Sequence, residues 1–182
     1  LTEKQLIRDC QNGVKSSQYE LVKRYSAMLM SVSRRYVRDE PAAQDVLQES
    51  LIKIFGNIDK YKPIGSFEGW MRTITTRCAL TWLRKNSKLM NSIEDEHVKE
   101  EGHVPDIYLK LDADDILEII EELPEGYRTV FNLYVIEGYS HREVSKMLKI
   151  SEGASRSQLT RAKKVLKEKL STSYFQRKYN TA

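Results

Sequence analysis

Residues 139–170, YSHREVSKMLKISEGASRSQLTRAKKVLKEKL, constrain the fold most tightly, because two helix starts lie close together within them. Ser140 and Glu143 have the Ser-x-x-Glu spacing of a capping box, which satisfies two of the backbone N–H groups that a helix start leaves without partners. Val144, Met147 and Leu148 then recur at helical spacing, Ile150 falls in a turn, and Ser151 is placed to cap a second, longer helix. Along that helix Ser155, Leu159, Ala162, Leu166 and Leu170 form one stripe, small at the top and larger below. Arg156, Thr160, Lys163 and Lys167 descend another line, with Arg161 and Lys164 beside it. Two helices joined by so tight a turn form a helix-turn-helix. An apolar inner face under an exposed Arg/Lys/Thr face suits a helix lying in a major groove. A basic amphipathic helix that only packs on a core is the plainer reading, and the consecutive caps and short first helix argue against it.

The 182 residues allow one or two domains, and 40% apolar content supports real cores. Only 8 Gly and 4 Pro among many Leu, Lys and Glu point to an all-α protein. No strand pattern or internal repeat is evident. No apolar run approaches the roughly 18 residues of a membrane span. The chain starts at Leu1 with no signal peptide in view, and Cys10 and Cys78 lie far apart inside helical patterns. Reduced core thiols in a cytoplasmic protein are the expectation.

Charge is segregated along the chain. Residues 1–90 carry 16 Lys/Arg and 9 Asp/Glu, net +7; residues 91–126 carry 2 and 13, net −11; residues 127–182 carry 12 and 4, net +8. Two basic blocks around an acidic one suggest two modules that face nucleic acid and a connector between them. The expected domains are therefore residues 1–90 and 112–182, joined by a polar, acidic linker at 91–111.

Within the first block, Thr2-x-x-Gln5 opens a short helix ending near Gly13, and Ser17-x-x-Glu20 is expected to open a longer one. Leu21, Val22, Tyr25, Met28, Leu29, Val32 and Tyr36 would be its buried stripe. Asp39 is placed to cap a third helix with Pro41 in its first turn. On that helix Leu47, Leu51, Ile54, Phe55 and Ile58 share one side, whereas Asp45, Gln48, Glu49 and Ile52 lie nearly opposite. An isoleucine in a polar outer face is a candidate protein contact. A loop at Tyr61–Ser66 precedes a fourth helix, capped by Ser66 and running to about Lys88, with Phe67, Trp70, Met71, Ile74 and Cys78 as its core stripe. Thr73, Arg77, Leu80 and Arg84 form an adjoining line expected on a basic face. Tyr61 and Phe67 bracket the loop, where aromatic and basic groups could hold an unstacked base. In the second block, a helix from about Asp112 to Glu122 is followed by another from Pro124 to Gly138, with Val130, Phe131, Tyr134 and Val135 as its apolar positions.

Three of these segments, in this order, resemble an extracytoplasmic-function (ECF) sigma factor, the minimal two-domain class of bacterial transcription initiation factors. Asp45-Val46-Leu47-Gln48-Glu49 is similar to the family's region 2.2, which binds the clamp helices of the largest RNA polymerase subunit. Ser66-Phe67-Glu68-Gly69-Trp70-Met71-Arg72-Thr73-Ile74 is similar to region 2.3–2.4, which opens and reads the −10 promoter element. Leu123-Pro124-Glu125-Gly126-Tyr127-Arg128-Thr129-Val130-Phe131, followed by Glu137-Gly138-Tyr139-Ser140, is similar to region 4, whose helix-turn-helix reads the −35 element. The resemblance implies polymerase contacts at Asp45, Gln48, Glu49 and Ile52. It implies −10 contacts at Tyr61, Lys62, Phe67, Thr73, Arg77 and Arg84. It implies −35 contacts at Gly153, Ala154, Arg156, Ser157, Thr160, Arg161 and Lys164. Core RNA polymerase, duplex −35 DNA, melted −10 DNA and an anti-sigma factor are the implied partners, with no cofactor. Arg77 stands where many members carry Asn, Ala154-Ser155 replaces a common Thr-Val, and Gln158 a common basic residue, so base preferences do not transfer. Lys149 occupies a turn position often held by Gly; a left-handed backbone there would cost on the order of 1 kcal/mol.

The alternative is a stand-alone helix-turn-helix repressor or activator. It accounts for residues 139–170 but not for the Asp45–Ile52 face or the loop before Phe67. An enzyme is disfavoured: His97 and His103 lie among carboxylates, but no HExxH, Cys/His quartet, Walker loop or nucleophile elbow accompanies them.

Overall fold

Thr2 starts the first helix of the chain. In a computed structural model, which describes residues 1–86 and 119–180 (side chains of 172–180 excepted), α1 spans Glu3–Gln11 and both halves of the Thr2/Gln5 capping box are formed. The helix ends at Gly13, whose φ of 74° is left-handed. The Gly13 and Val14 amides reach back to the carbonyls of Cys10 and Asp9, a Schellman closure that uses glycine's freedom at positive φ.

That closure changes where α2 begins. The Val14 carbonyl accepts from the Ser17 and Gln18 amides, so α2 runs from Lys15 to Tyr36. Ser17 is buried inside it and caps nothing. The expected Ser17/Glu20 start is thus corrected by one turn: the tight corner leaves no extended residue for Ser17 to occupy. Leu21, Tyr25, Leu29, Val32 and Tyr36 are buried as expected, and Val22 and Met28 are half-buried.

Asp39 accepts the Ala42 amide at 3.0 Å and starts α3 (Glu40–Asn57), with Pro41 in the first turn. Its most deeply buried ridge is Val46, Ser50 and Ile54, flanked by half-buried Leu47, Leu51 and Phe55. A 3-10 turn, Ile58–Lys60, leads to the loop. Ser66 Oγ accepts the Gly69 amide at 3.0 Å, and α4 runs Phe67–Asn86. Helix α4 packs on both α2 and α3, and α1 lies against α2. Contact on two sides widens the buried arc of α4, so Leu80, expected beside the basic line, is 3% exposed. Leu6, Leu21, Leu29, Ile54, Phe67 and Met71 share one core in this unit, Leu1–Asn86. Each such side chain contributes about 1.5–3 kcal/mol on burial.

The second unit falls within Ser87–Ala182. Residues 119–121 are helical, and Ile119, Ile120 and Leu123 pack on Ala162, Leu166 and Leu170. From Pro124, α5 runs Glu125–Phe131 and passes into a π-turn, Asn132–Ile136. The π-turn inserts one extra residue and rotates the faces beyond it. Asn132 and Leu133 are consequently buried, while Tyr134 and Val135, expected in the apolar set, are exposed. Gly138, with φ 77°, closes the segment.

Ser140 and Glu143 form the expected capping box and start α6 (His141–Leu148). Lys149 is left-handed, φ 58° and ψ 44°, and the Ile150 amide closes onto the Ser145 carbonyl. Ser151 Oγ accepts the Ala154 amide at 2.9 Å and α7 runs Glu152–Asn180. The inward stripe Ser155, Leu159, Ala162, Leu166 and Leu170 is buried throughout. The 91–111 linker, the helix start at Asp112, Lys88, His97 and His103 lie outside the described residues.

Candidate nucleic-acid interface

The loop at residues 61–66 is braced from three directions. Tyr61 donates its hydroxyl to the Gly65 carbonyl at 3.0 Å, closing the loop on itself. Its ring meets Phe67 edge-on at 5.0 Å and Trp70 at 5.3 Å, and Phe67 stacks against Trp70 at 5.6 Å. Ser66 holds the loop to the first turn of α4, and a Cβ on Gly69 would meet Ser66 Oγ at 2.9 Å, so glycine there keeps the cap intact. Lys62, Pro63 and Ile64 project from this base, Ile64 being 89% exposed.

The −10 set is therefore not one surface. Lys62, Arg77 and Arg84 are exposed, and Tyr61 and Thr73 are half-buried. Thr73 donates its hydroxyl to the Gly69 carbonyl, and Arg84 donates to Thr81 Oγ1 at 3.0 Å. Phe67 is completely buried and supports the loop from beneath, with no face offered to a base. Trp70 and Ile64, absent from the sequence-derived set, complete the ring cluster and the loop apex. Trp70 sits three residues beyond Phe67 on the same side of α4, a spacing signal that identified it only as core.

On α7 the exposed line is real and interrupted. Arg156, Lys164 and Lys167 are exposed; Gly153, Thr160, Arg161 and Lys163 are half-buried. Ala154 and Ser157 are 2% and 7% exposed and turn their side chains inward, as does Gln158 at 6%. Arg156 leans on Glu152 at 3.4 Å with half its side chain in solvent. The two helices are pinned together by a 2.8 Å hydrogen bond between His141 Nδ1 and Ser155 Oγ, with the His141 ring stacked on Tyr134 at 4.2 Å. Hydrogen bonds from the Ser140 hydroxyl and amide hold the Glu143 carboxyl below the usual glutamate range. Arg128, 3% exposed, donates to the Glu121 carbonyl at 3.1 Å and so caps the end of the preceding helix. Its burial was not visible in the sequence, where it reads as one more surface cation.

The outer face of α3 is polar around one apolar side chain. Asp45 and Gln48 are exposed, Glu49 is half-buried, and Ile52 is 72% exposed. Glu49 accepts from Lys53 at 2.6 Å, and this bond raises the Lys53 pKa above its ordinary value. Among the described residues no cluster of three or more His, Cys, Asp or Glu could hold a metal, and no helix is long and apolar enough to cross a membrane.

The model of Sigma-70 region 2 matches residues 21–89, and that of Sigma-70, region 4 matches residues 113–166. The ECF RNA polymerase sigma factor SigE of Mycolicibacterium smegmatis is 29% identical; the match covers 83% of this chain and 60% of that protein. The ECF RNA polymerase sigma-E factor of Escherichia coli is 28% identical, with 93% and 95% covered. Among solved structures, the sigma factor RpoE of Bartonella quintana, in complex with the anti-sigma factor NepR, aligns over 82% of this chain and 94% of its own, at 19% identity and a TM-score of 0.49.

Proposed function

Since this chain belongs to the sigma-70 family, in its ECF group, we propose that it binds core RNA polymerase, recognises −35 and −10 promoter elements and promotes transcription initiation, without catalysing a reaction itself. The observation that carries this reading is the pairing, in one chain, of a braced loop on a basic helical unit with a doubly capped helix-turn-helix on another. A stand-alone repressor or activator would leave the first of these without a use.

The proposed mechanism gives each of these surfaces one role. Asp45, Gln48, Glu49 and Ile52 meet the polymerase, with Ile52 as a small apolar anchor inside a polar rim. Helix α7 enters the −35 major groove. Arg156 gives up Glu152 to reach a base edge, at little cost, because an exposed ion pair is worth about 0.2–1 kcal/mol. Thr160, Arg161 and Lys164 lie beyond it, and Gly153, at the start of the helix, is placed to meet the backbone, whereas the inward Ala154 and Ser157 support the helix and do not meet DNA. A base leaving the duplex is held at the Tyr61–Ser66 loop by stacking and edge hydrogen bonds. Lys62, Thr73, Arg77 and Arg84 follow the strand, while Phe67 keeps the loop in place. The chain acts in the cytoplasm, and an anti-sigma factor is its proposed inhibitor.

Run-off transcription with bacterial core polymerase and a diverse promoter library tests this. Promoter-specific transcripts that depend on the chain are expected; no stimulation on any promoter would overturn the proposal.

A further inference from the structure

Helix α2 carries an outward line that none of the contacts above uses. Lys15, Tyr19 and Lys23 follow at four-residue intervals, so they stand one turn apart on one ridge. Tyr19 is 72% exposed, the most exposed aromatic side chain among the described residues. Lys15 and Lys23 are both exposed, and among the described residues neither makes an ion pair. The acidic residue next to the line, Glu20, turns to Arg24 at 3.3 Å and leaves the lysines uncompensated. The buried side of α2 lies opposite, at Leu21, Tyr25, Leu29 and Val32, so the ridge takes no part in holding the unit together.

We propose that this ridge is a second contact for single-stranded DNA, with a base stacked on Tyr19 and phosphates met by Lys15 and Lys23. A rigid aromatic face between two cations, one helical turn to either side, is the combination that binds unpaired strands with little regard to sequence. Charge complementarity favours the assignment, since residues 1–90 are net +7. The choice of DNA rests on the initiation reading, in which this unit handles a separated strand; the stacking surface itself does not. The contact would hold strand outside the −10 segment and so favour the opened state.

The full-length protein is tested by fluorescence anisotropy with a dye-labelled oligodeoxythymidylate of about 12 nucleotides, within the usual site size of such surfaces. Tyr19→Ala is expected to weaken binding about tenfold and Tyr19→Phe to leave it unchanged, because the ring face stacks and the hydroxyl does not. Lys15→Gln with Lys23→Gln is expected to lower the salt slope by about 1.4, or about 0.7 for each phosphate that is no longer neutralised. Circular dichroism should report wild-type helicity for all three variants. The proposal is overturned if the wild type does not bind the oligomer, if Tyr19→Ala binds like wild type, if Tyr19→Phe loses as much as Tyr19→Ala, or if duplex binds as tightly as single strand at this ridge. Preference for oligouridylate would overturn the choice of DNA. Promoter-specific run-off transcription is measured in parallel. Its failure with Tyr19-dependent strand binding intact strikes the initiation reading, whereas normal transcription with strand binding insensitive to Tyr19 strikes this one alone.

Discussion

Lys149 holds the corner between α6 and α7 in a left-handed backbone, with φ 58°. An L-residue pays roughly 1–2 kcal/mol for that conformation. Glycine would escape this cost but lose about 0.4–1 kcal/mol to the greater freedom of its unfolded chain. Lys149→Gly should therefore raise the urea midpoint of the second unit modestly at unchanged m-value, a gain in stability of no more than about 1.6 kcal/mol. A lower midpoint would mean that the lysine side chain supports the corner. Glu143 permits a pH test at the same motif. Ser140 depresses its pKa, so its contribution is complete above the ordinary glutamate value and is lost as pH falls through the lowered one. Glu143→Gln keeps the Ser-x-x-Glu/Gln geometry but cannot titrate. Its thermal stability should fall less than that of the wild type across the acid range; parallel curves would remove Glu143 from the acid response.

At the scale of the helix, the question is which side faces a partner. Ile52 and Glu49 lie away from the Val46–Ser50–Ile54 ridge that anchors α3. Ile52→Glu or Glu49→Lys should weaken core polymerase binding by roughly 1–2 kcal/mol, the range of a moderate interface contact, with the circular dichroism spectrum unchanged. Normal binding by either variant would move the polymerase contact elsewhere. Helix α7 gives a sharper contrast. Arg156→Ala should relax preference at one or two −35 positions, since a bidentate guanine contact discriminates by about 1–3 kcal/mol. Lys167→Ala should weaken all duplexes alike and lower the salt slope by about 0.9. Binding of residues 112–182 to a −35 duplex library at two salt concentrations separates the two; uniform losses for Arg156→Ala would make it a phosphate contact. On α7 the stripe from Ser155 to Leu170 was legible because one neighbour set covers one face. The inward turn of Ala154, Ser157 and Gln158 was not legible, because small and polar residues carry no periodic signal that fixes their side.

For the whole molecule, each unit has its own buried residues: Leu6, Leu21, Ile54, Phe67 and Met71 in one, Ile120, Leu123, Ala162 and Leu166 in the other. A fragment of residues 1–90 is expected to unfold cooperatively on its own, as followed by thermal circular dichroism. A featureless melt would show that the fragment needs the rest of the chain. The sequence by itself determined the helix starts that depend on bonds between residues three apart: Thr2 with Gln5, Asp39 with Ala42, Ser66 with Gly69, Ser140 with Glu143, and Ser151 with Ala154. Such bonds close within one turn and need nothing distant. Ser17 and Glu20 have the same spacing and do not cap, because the closure at Gly13 had already started α2. Only the tertiary structure decided how wide a buried arc each helix has. Leu80 went inward because α4 packs on two partners, Arg128 was buried to cap a neighbouring helix end, and the π-turn rotated Tyr134 and Val135 into solvent. Burial is set by what lies across the gap, and residues far away in the chain supply it.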